Sequence, residues 1–278
     1  MIRDARLTLA RPDLAAASLE GVIAADHYEA VRPLQVTAPR AALQRSPDRD
    51  AEWLDELIIG ERFDALSAVG DYLWGQARRD GYVGFVRAEA LALAGAPPTH
   101  RVKATSSYAF AEPSFKARPV GPFSLNALIT VEVEEGPFVR TSDGAFFWTG
   151  HLAPVGSGFE TDPAAVAERF VGAPYLWSGR TSVGLDCSGL IQQALYACGK
   201  ACPRDADQQA LLGHAIDRRE LTRRDLVCWD GHIGMMLDSV RMLHASSHHM
   251  ATAIEPLADV IARNQAAGRG APTGFRRL

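Results

Sequence analysis

The sequence predicts an α+β protein in which small β-barrels precede a domain that combines helices with antiparallel strands. Two changes of pattern along the chain support this class. Residues 35–155 consist of short alternating apolar segments separated by Gly, Pro and Asp-Gly pairs, which is typical of small β-barrels. From residue 156 onward, a strongly apolar helical pattern is followed by strand-like segments. The 278 residues suffice for roughly two ordinary domains, or for one domain with smaller modules.

The N-terminal half divides into three predicted parts. Residues 1–33 are predicted to be a helical segment, because the run DLAAASLE contains mostly good helix formers. Two β segments follow, at 34–97 and 98–155, and each contains an apolar strand pair, a Gly-containing turn and an aromatic strand. The Asp-Gly pairs at 80–81 and 143–144 are turn signals between strands. The packing of an ordinary β-barrel would account for most of these residues.

Residues 156–278 are predicted to form one further domain. Asp162 or Thr161 is expected to cap its first helix, and Gly199 is expected to end its second. The predicted helices are 163–170, 186–198 and 254–267, and the predicted strands are 226–229, 232–237, 242–245 and 274–277.

Composition and charge indicate which partners and which cellular compartment to expect for the protein. The chain is 47% hydrophobic with a net charge of −4, so it has no basic field to attract nucleic acid. No apolar run approaches the ~18 residues that span a membrane, and Pro12, Asp13 and Glu20 interrupt any apolar core of an export signal. We therefore expect a cytoplasmic protein without nucleic-acid or membrane partners, or an exported one if a leader has been removed. The composition does not predict the oligomeric state.

Cys187 is the first candidate for chemistry. It lies at the start of the most strongly apolar helix, directly after Asp186. Helix N-termini carry unpaired N–H groups and partial positive charge, so a cysteine there is expected to have a stabilised thiolate. The other cysteines are interpreted as small buried hydrophobes, and their spacing does not indicate a disulfide framework; they are Cys198, Cys202 and Cys228.

Two downstream histidines complete a candidate catalytic group. His232 opens one predicted strand and His244 lies on the next. If the hairpin between them contains an odd number of residues, Gly234 pairs with His244 and both imidazoles lie diagonally on one sheet face. His244 would then bond the Nδ1 of His232 and leave Nε2 for the sulfur of Cys187. The pattern predicts a nucleophile, a base and an orienting residue.

These residues fall within a longer series of motifs. That series resembles the NlpC family of bacterial cell-wall cysteine peptidases, and residues 57–61 with 80–86 resemble bacterial SH3-like domains. Residues 143–147 match the same SH3-like module more weakly. The motifs that carry the first resemblance are PYLWSG (174–179), GLDCSGL (184–190), PRD (203–205), DLV (225–227), HIG (232–234) and HA (244–245).

The resemblance implies a papain-like C-terminal domain that follows two SH3-like barrels. It implies a triad of Cys187, His232 and His244, without a cofactor or metal. The implied reaction is hydrolysis of the γ-D-glutamyl–diamino acid bond in peptidoglycan-derived peptides with a free N-terminal L-Ala, as in wall-peptide recycling.

The resemblance also implies roles for residues around the triad. Tyr175 would lie on the oxyanion side, and Asp205 would bind the N-terminal amine of the substrate. Ser188 would contact the γ-D-Glu. Further substrate contacts are expected from Asp186 and Trp177, and from Glu61 and Tyr82 of the first SH3-like module.

The chain departs from the family pattern in ways that bear on substrate preference. Ser178 and Arg224 stand where glycine is usual, and Ala206 stands where a serine often helps to bind substrate. Three alternatives remain open: an inactive module that binds wall fragments, a thiol acyltransferase or amidase acting on another amide, and a metal site. The last would use His244, the 248–249 histidine pair and a cysteine, whose spacing fits metal binding poorly.

Overall fold

The computed structural model describes residues 4–278 and divides the chain into two compact units, Met1–Val155 and Gly156–Leu278. Strands dominate the first unit, and helices pack with an antiparallel sheet in the second. The predicted α+β class is thus confirmed. Within residues 4–278, no helix has the length and apolar character needed to cross a membrane.

The first unit consists almost wholly of β-strands. Its strands are β1 (Leu14–Ala16), β2 (His27–Glu29), β3 (Arg32–Val36), β4 (Arg40–Gln44), β5 (Trp53–Ile58), β6 (Arg62–Val69), β7 (Tyr72–Ala77), β8 (Val83–Arg87), β9 (Leu91–Leu93), β10 (His100–Val102), β11 (Ser106–Phe110), β12 (Pro119–Ser124), β13 (Leu128–Ile129), β14 (Val131–Glu135), β15 (Phe138–Thr141), β16 (Phe146–Trp148) and β17 (Leu152–Pro154). Short 3₁₀ helices lie at Ala5–Leu7, Ala17–Leu19, Ala88–Ala90 and Thr149–His151.

The strands of this unit form two separate barrels. One is a seven-stranded sheet in the order β5-β4-β8-β7-β6-β3-β9, and the other combines the sheets β12-β11-β16-β15-β14 and β13-β10-β17. The predicted Asp-Gly turns are confirmed, because Gly81 and Gly144 have left-handed φ values of +85° and +84° and join β7 to β8 and β15 to β16. Each barrel has its own apolar core, which includes Leu43 and Phe63 in the first and Val102 and Phe147 in the second.

The predicted N-terminal helix is wrong. In its place, β1 pairs in parallel with β2, between two short 3₁₀ turns at Ala5–Leu7 and Ala17–Leu19. Leu14 packs in a cluster with Trp74 and Phe85 of the first barrel. Burial against another sheet therefore outweighs the local helix propensity of this alanine-rich run, as tertiary contacts commonly do.

The second unit is an antiparallel sheet with a buried helix against it. Its elements are α1 (Pro163–Glu168), β18 (Arg180–Thr181), β19 (Gly184–Leu185), α2 (Cys187–Ala197), α3 (Ala206–Gln209), β20 (His214–Ala215), a 3₁₀ helix (Arg218–Glu220), β21 (Leu226–Trp229), β22 (His232–Met236), β23 (Arg241–Ser246), β24 (Ala251–Pro256), α4 (Leu257–Ala266) and β25 (Gly274–Arg277). The main sheet has the order β20-β25-β21-β22-β23-β24, and α2 contacts both β22 and β23.

Local sequence accounts for the ends of these helices. Asp162 caps α1 by accepting a hydrogen bond from the backbone N–H of Ala164 (3.0 Å). Every residue of α2 is buried, so this helix is held by packing on all sides rather than by one apolar stripe. The predicted helix over 254–267 begins three residues later, at Leu257, because β24 pairs with β23 as far as Pro256.

Two departures from the family pattern have a backbone explanation. Ser178 and Arg224 both adopt left-handed φ values, of +63° and +80°. This region favours glycine, because a side chain there crowds the backbone. The chain therefore keeps the turn geometry that glycine would serve and places ordinary residues in it.

We expect Arg224→Gly to raise the free energy of unfolding by up to about 1 kcal/mol. Glycine adopts the left-handed conformation without the penalty of roughly 1–2 kcal/mol that a side chain brings. The greater freedom of glycine in the unfolded chain offsets part of that gain in stability. Urea unfolding measures the difference. Ala262→Gly, at an exposed helical position of α4, is the matched control and should lower the stability by about 1 kcal/mol. A destabilised Arg224→Gly would contradict the strain argument.

Candidate active site

Cys187 is the first residue of α2, and its side chain is buried. The hairpin of β18 and β19 leads directly into it. Tyr175 forms an isolated parallel bridge with Leu185, the last residue of β19. The motif segment that contains Tyr175 is thereby held alongside the strand that precedes the cysteine.

An ion pair inside the protein holds the start of α2. Arg204 donates from Nη2 to Asp186 Oδ2 (2.7 Å) and from Nη1 to Oδ1 (3.0 Å), and the two side chains are only 1% and 7% exposed. The same carboxylate accepts the N–H of Gly189 (2.7 Å) and the N–H of Ser178 (2.9 Å). Both of its oxygens are occupied within the protein, so Asp186 has a structural role as the N-cap of α2. Its predicted contact with substrate stays a prediction.

Ser188 belongs to the same network. Its Oγ accepts a hydrogen bond from Arg204 (2.8 Å) and donates one to Asp186 (3.2 Å), and the residue is buried. The structure thus places the hydroxyl of Ser188 inside the protein. The predicted contact of Ser188 with the γ-D-Glu group stays a prediction.

Asp205 is anchored on both sides to the helix that carries Cys187. The preceding Arg204 holds the cap of α2, and Gln209 donates from Nε2 to the carbonyls of Ser188 (2.9 Å) and Pro203 (2.8 Å). The carboxylate of Asp205 is itself half-buried at the start of α3. The sequence pattern identified Asp205 but missed the role of Arg204.

The two histidines meet on adjacent strands. The pairs Met235–Leu243 and Met236–Met242 establish the register that was required, in which Gly234 would stand opposite His244. His232 Nε2 lies 2.8 Å from His244 Nδ1, and the ring centroids are 5.0 Å apart. The predicted choice of nitrogen is therefore wrong: Nε2 faces His244, and Nδ1 of His232 is the nitrogen left for Cys187.

A carboxylate that the sequence analysis missed lies behind His244. Glu255 Oε1 is 2.8 Å from His244 Nε2 and 3.0 Å from His249 Nε2. Arg263 grips the carboxylate with two hydrogen bonds, of 2.7 and 2.8 Å. Glu255 stands two residues after Ala253, the strand partner of His244, so both side chains emerge on one face. The sequence predicted a helix over 254–267, so the position of Glu255 on a strand beside His244 was not expected.

Burial makes the resting forms of the nucleophile and the base neutral. It raises the pKa of the Cys187 thiol to about 12, with a further contribution from the charge of Asp186, and the N–H of Ile233 acts in the opposite direction. Burial also lowers the pKa of His232 to about 3, and a positive charge on the neighbouring His244 would act in the same direction. Desolvation therefore opposes the thiolate that the helix N-terminus was expected to stabilise.

A cleft of about 540 Å³ opens beside the histidines, a size suited to a small ligand. Tyr175 and Trp177 line it, and Trp177 is 57% exposed. Burial raises the pKa of the Tyr175 phenol far above its usual range, and a negative charge on Cys187 would act in the same direction. The phenol therefore remains protonated and can donate a hydrogen bond into the cleft.

Opposite charges also line this cleft. Asp230 and Arg269 are both exposed there. Within residues 4–278 neither side chain makes an ion pair. The cleft thus offers one carboxylate and one guanidinium to a ligand.

The remaining predicted site residues lie in the first unit. Glu61 is buried, pairs with Arg79 (2.9 Å) and accepts the N–H of Ile58 (3.1 Å). Tyr82 is buried in the core of the first barrel. Both residues have structural roles, and their part in amine recognition stays a prediction.

Comparison with known proteins finds family matches in both units of the chain. Residues 172–265 match the NlpC/P60 family, and residues 43–91 match the bacterial dipeptidyl-peptidase Sh3 domain. Two curated relatives are named gamma-D-glutamyl-L-lysine dipeptidyl-peptidase. The one from Bacillus cereus is 27% identical over 43% of this chain, and the one from Bacillus subtilis is 32% identical over 39%. The matches span only 38% and 37% of the relatives' own lengths.

The fold extends the likeness across most of the chain. The crystal structure of an NlpC/P60 family protein from Bacillus cereus superposes with a TM-score of 0.76, covering 88% of this chain and 99% of that one at 19% identity. Similarity at this level of identity concerns the fold. Residues 172–265 are therefore similar to the NlpC/P60 family and residues 43–91 to the bacterial dipeptidyl-peptidase Sh3 domain, and most of the chain shares the fold of an NlpC/P60 family protein.

Proposed function

We propose that this protein is a cysteine peptidase that hydrolyses the γ-D-glutamyl–diamino acid bond of peptidoglycan-derived peptides with a free N-terminal L-Ala. One observation carries the proposal: Cys187 begins a buried helix against β22, and on that strand His232 is hydrogen-bonded to His244. The names of the two relatives support a γ-D-glutamyl substrate. The cytoplasmic setting and the role in wall-peptide recycling belong to the same proposal.

The reaction begins with a neutral thiol and a neutral imidazole. His232 Nδ1 takes the proton from Cys187 as the sulfur attacks the γ-carbonyl carbon of D-Glu. The oxygen that becomes negative accepts hydrogen bonds from the Cys187 N–H and the protonated Tyr175 phenol. Donors that are fixed by the fold would need little reorganisation as the negative charge develops.

The tetrahedral intermediate then collapses. His232 returns its proton to the amine of the diamino acid, which leaves, and Cys187 holds the dipeptide as a thioester. Water attacks this thioester with His232 as the base, and L-Ala-γ-D-Glu is released with the thiol restored. The elements of one water molecule are consumed in each cycle.

We expect Cys187→Ala to lower the cleavage of L-Ala-γ-D-Glu-diaminopimelate by at least about 10⁴-fold, because no other group supplies the nucleophile. Mass spectrometry of the products measures the loss and identifies the bond. Cys198→Ala, which changes a cysteine outside the cleft, is the control and should retain activity. Turnover by Cys187→Ala would disprove the assignment, and products that carry an added amine would indicate an acyltransferase instead.

Amine recognition is proposed for Asp205. Arg204 and Gln209 hold its two sides against the start of α2, so its carboxylate stands on a rigid support near the nucleophile's helix. A charge-assisted hydrogen bond distinguishes a free ammonium from an internal amide, which carries no charge. Such a contact would select a peptide that has already been trimmed to its L-Ala end.

We expect Asp205→Asn to lower kcat/KM for the free-amine peptide by about 10- to 100-fold, as the loss of a charged hydrogen bond would. The N-acetylated peptide should be cut poorly by both proteins. Asp207→Asn, which removes the same charge at an exposed position of α3, is the matched control. Equal cleavage of free and acetylated peptides by the wild type would rule out amine recognition.

The charges in the cleft suggest which diamino acid is preferred. Diaminopimelate ends in an ammonium and a carboxylate, whereas lysine ends in an ammonium alone. The carboxylate of Asp230 and the guanidinium of Arg269 complement the ammonium and the carboxylate of diaminopimelate. We therefore propose that diaminopimelate peptides are cut faster than lysine peptides.

We expect Arg269→Gln to reduce the preference for diaminopimelate over lysine by up to about fivefold, since exposed charge pairs contribute roughly 0.2–1 kcal/mol. The measurement is the ratio of kcat/KM for the two peptides, and cleavage of the lysine peptide should change little. Arg218→Gln, at an exposed site outside the cleft, serves as the control. An unchanged ratio would exclude Arg269 from substrate selection.

A further inference from the structure

The carboxylate of Glu255 is joined to the candidate catalytic group through His244. His244 Nδ1 faces His232 at 2.8 Å, and His244 Nε2 faces Glu255 Oε1 at 2.8 Å. His244 is only 2% exposed, and the Glu255 side chain is 12% exposed. Both nitrogens of a buried imidazole are thus committed, one to the proposed base and one to a carboxylate.

The ionised form of Glu255 is secured by Arg263 of α4. The guanidinium donates to both carboxylate oxygens, at 2.7 and 2.8 Å. Burial opposes ionisation, but the hydrogen bonds from Arg263 and His244 hold the pKa of Glu255 well below its ordinary value. An ionised carboxylate has no proton to give, so it can only accept hydrogen bonds.

Because Glu255 can only accept hydrogen bonds, it determines which nitrogen carries the proton in each imidazole ring. Because Glu255 only accepts, His244 must carry its proton on Nε2 and offer the Nδ1 lone pair to His232. His232 must then carry its proton on Nε2, which leaves Nδ1 as a lone pair. Burial lowers the pKa of His244 and of His232, so both imidazoles are neutral and each has a single ring proton to place.

We propose that Glu255 is a positioning residue that sets the tautomers of His244 and His232 and so keeps Nδ1 of His232 free to accept the proton of Cys187. The proposal rests on the proposed cysteine-peptidase function. When His232 becomes an imidazolium during the reaction, no proton moves along the chain. The negative charge of Glu255, two rings away, stabilises the positive charge through the two existing hydrogen bonds.

The variant Glu255→Gln gives a definite expectation. Arg263 donates to both ends of the Glu255 side chain, whereas His244 contacts only the Oε1 end. With the amide oxygen of the variant at the Oε2 end, the amide NH₂ faces His244 Nε2. His244 must then accept at Nε2 and donate from Nδ1, and His232 must accept at Nε2. The proton of His232 then lies on Nδ1 and faces Cys187, so Nδ1 can no longer act as the base.

The test is ¹⁵N NMR of histidine-labelled protein, which reports the tautomer of each ring without substrate. In the wild type we expect both His232 and His244 to be protonated on Nε2, and in Glu255→Gln on Nδ1. We expect kcat/KM to fall by about 10²- to 10⁴-fold, mainly through kcat. Alkylation of Cys187 by iodoacetamide should slow in parallel.

Two variants control for loss of an ion pair alone. Glu168→Gln removes one of the two acidic partners of Arg223 outside the cleft and should leave tautomers and activity unchanged. Glu255→Asp keeps the charge and should keep the wild-type tautomers. The charged or titratable groups around His244 are His232, Glu255, Arg263 and His249.

The outcomes separate this inference from the proposed function. Protonation of wild-type His232 on Nδ1 overturns the inference, even if Glu255→Gln fails to fold. Unchanged tautomers in a folded Glu255→Gln overturn it as well, whatever its activity. Wild-type protein with the expected tautomers that cuts no muropeptide would instead refute the proposed function and leave the role of Glu255 intact.

Discussion

The buried ion pair between Arg204 and Asp186 is the constraint on which the site depends. It joins the residue before Cys187 to the segment that carries Asp205, and through the N–H of Ser178 it holds the loop that contains Tyr175. Removing one partner of such a pair typically costs 3–5 kcal/mol, because the other charge stays buried alone. The nucleophile, the proposed amine ligand and the proposed oxyanion donor are therefore all connected to this one interaction.

The same burial determines the electrostatics of the proposed catalytic group. A thiol with a pKa raised to about 12 and an imidazole with a pKa lowered to about 3 favour the neutral pair over the ion pair. Proton transfer from Cys187 to His232 would then accompany the attack on a bound substrate. A low-dielectric site also strengthens the hydrogen bonds that stabilise the developing charge.

The hairpin of β22 and β23 converts a sequence spacing into a chemical relation. Its register brings His232 and His244 to one face, and the next strand adds Glu255 to the same face. Arg263 of α4 then closes the group from outside the sheet. Three adjacent strands and one helix thus form a line of hydrogen bonds that ends at the nucleophile's base.

Several features were determined by the sequence alone. Alternating segments with Asp-Gly turns predicted the barrels, and the apolar pattern after Asp186 predicted α2 with Cys187 at its start. The spacing of His232 and His244 defined the register that would bring them together. These features are local, because strand period, helix capping and turn chemistry act over a few residues.

Only the tertiary structure decided the rest, because it depends on partners that are distant along the chain. The N-terminal alanine run becomes a strand against the first barrel, and Asp186 becomes a cap because Arg204 reaches it from 18 residues away. The choice of nitrogen on His232 depends on the face that His244 presents, which Glu255 and Arg263 in turn constrain. The spacing in the sequence predicted that the two histidines would meet, and only long-range packing determined which nitrogen is left for Cys187.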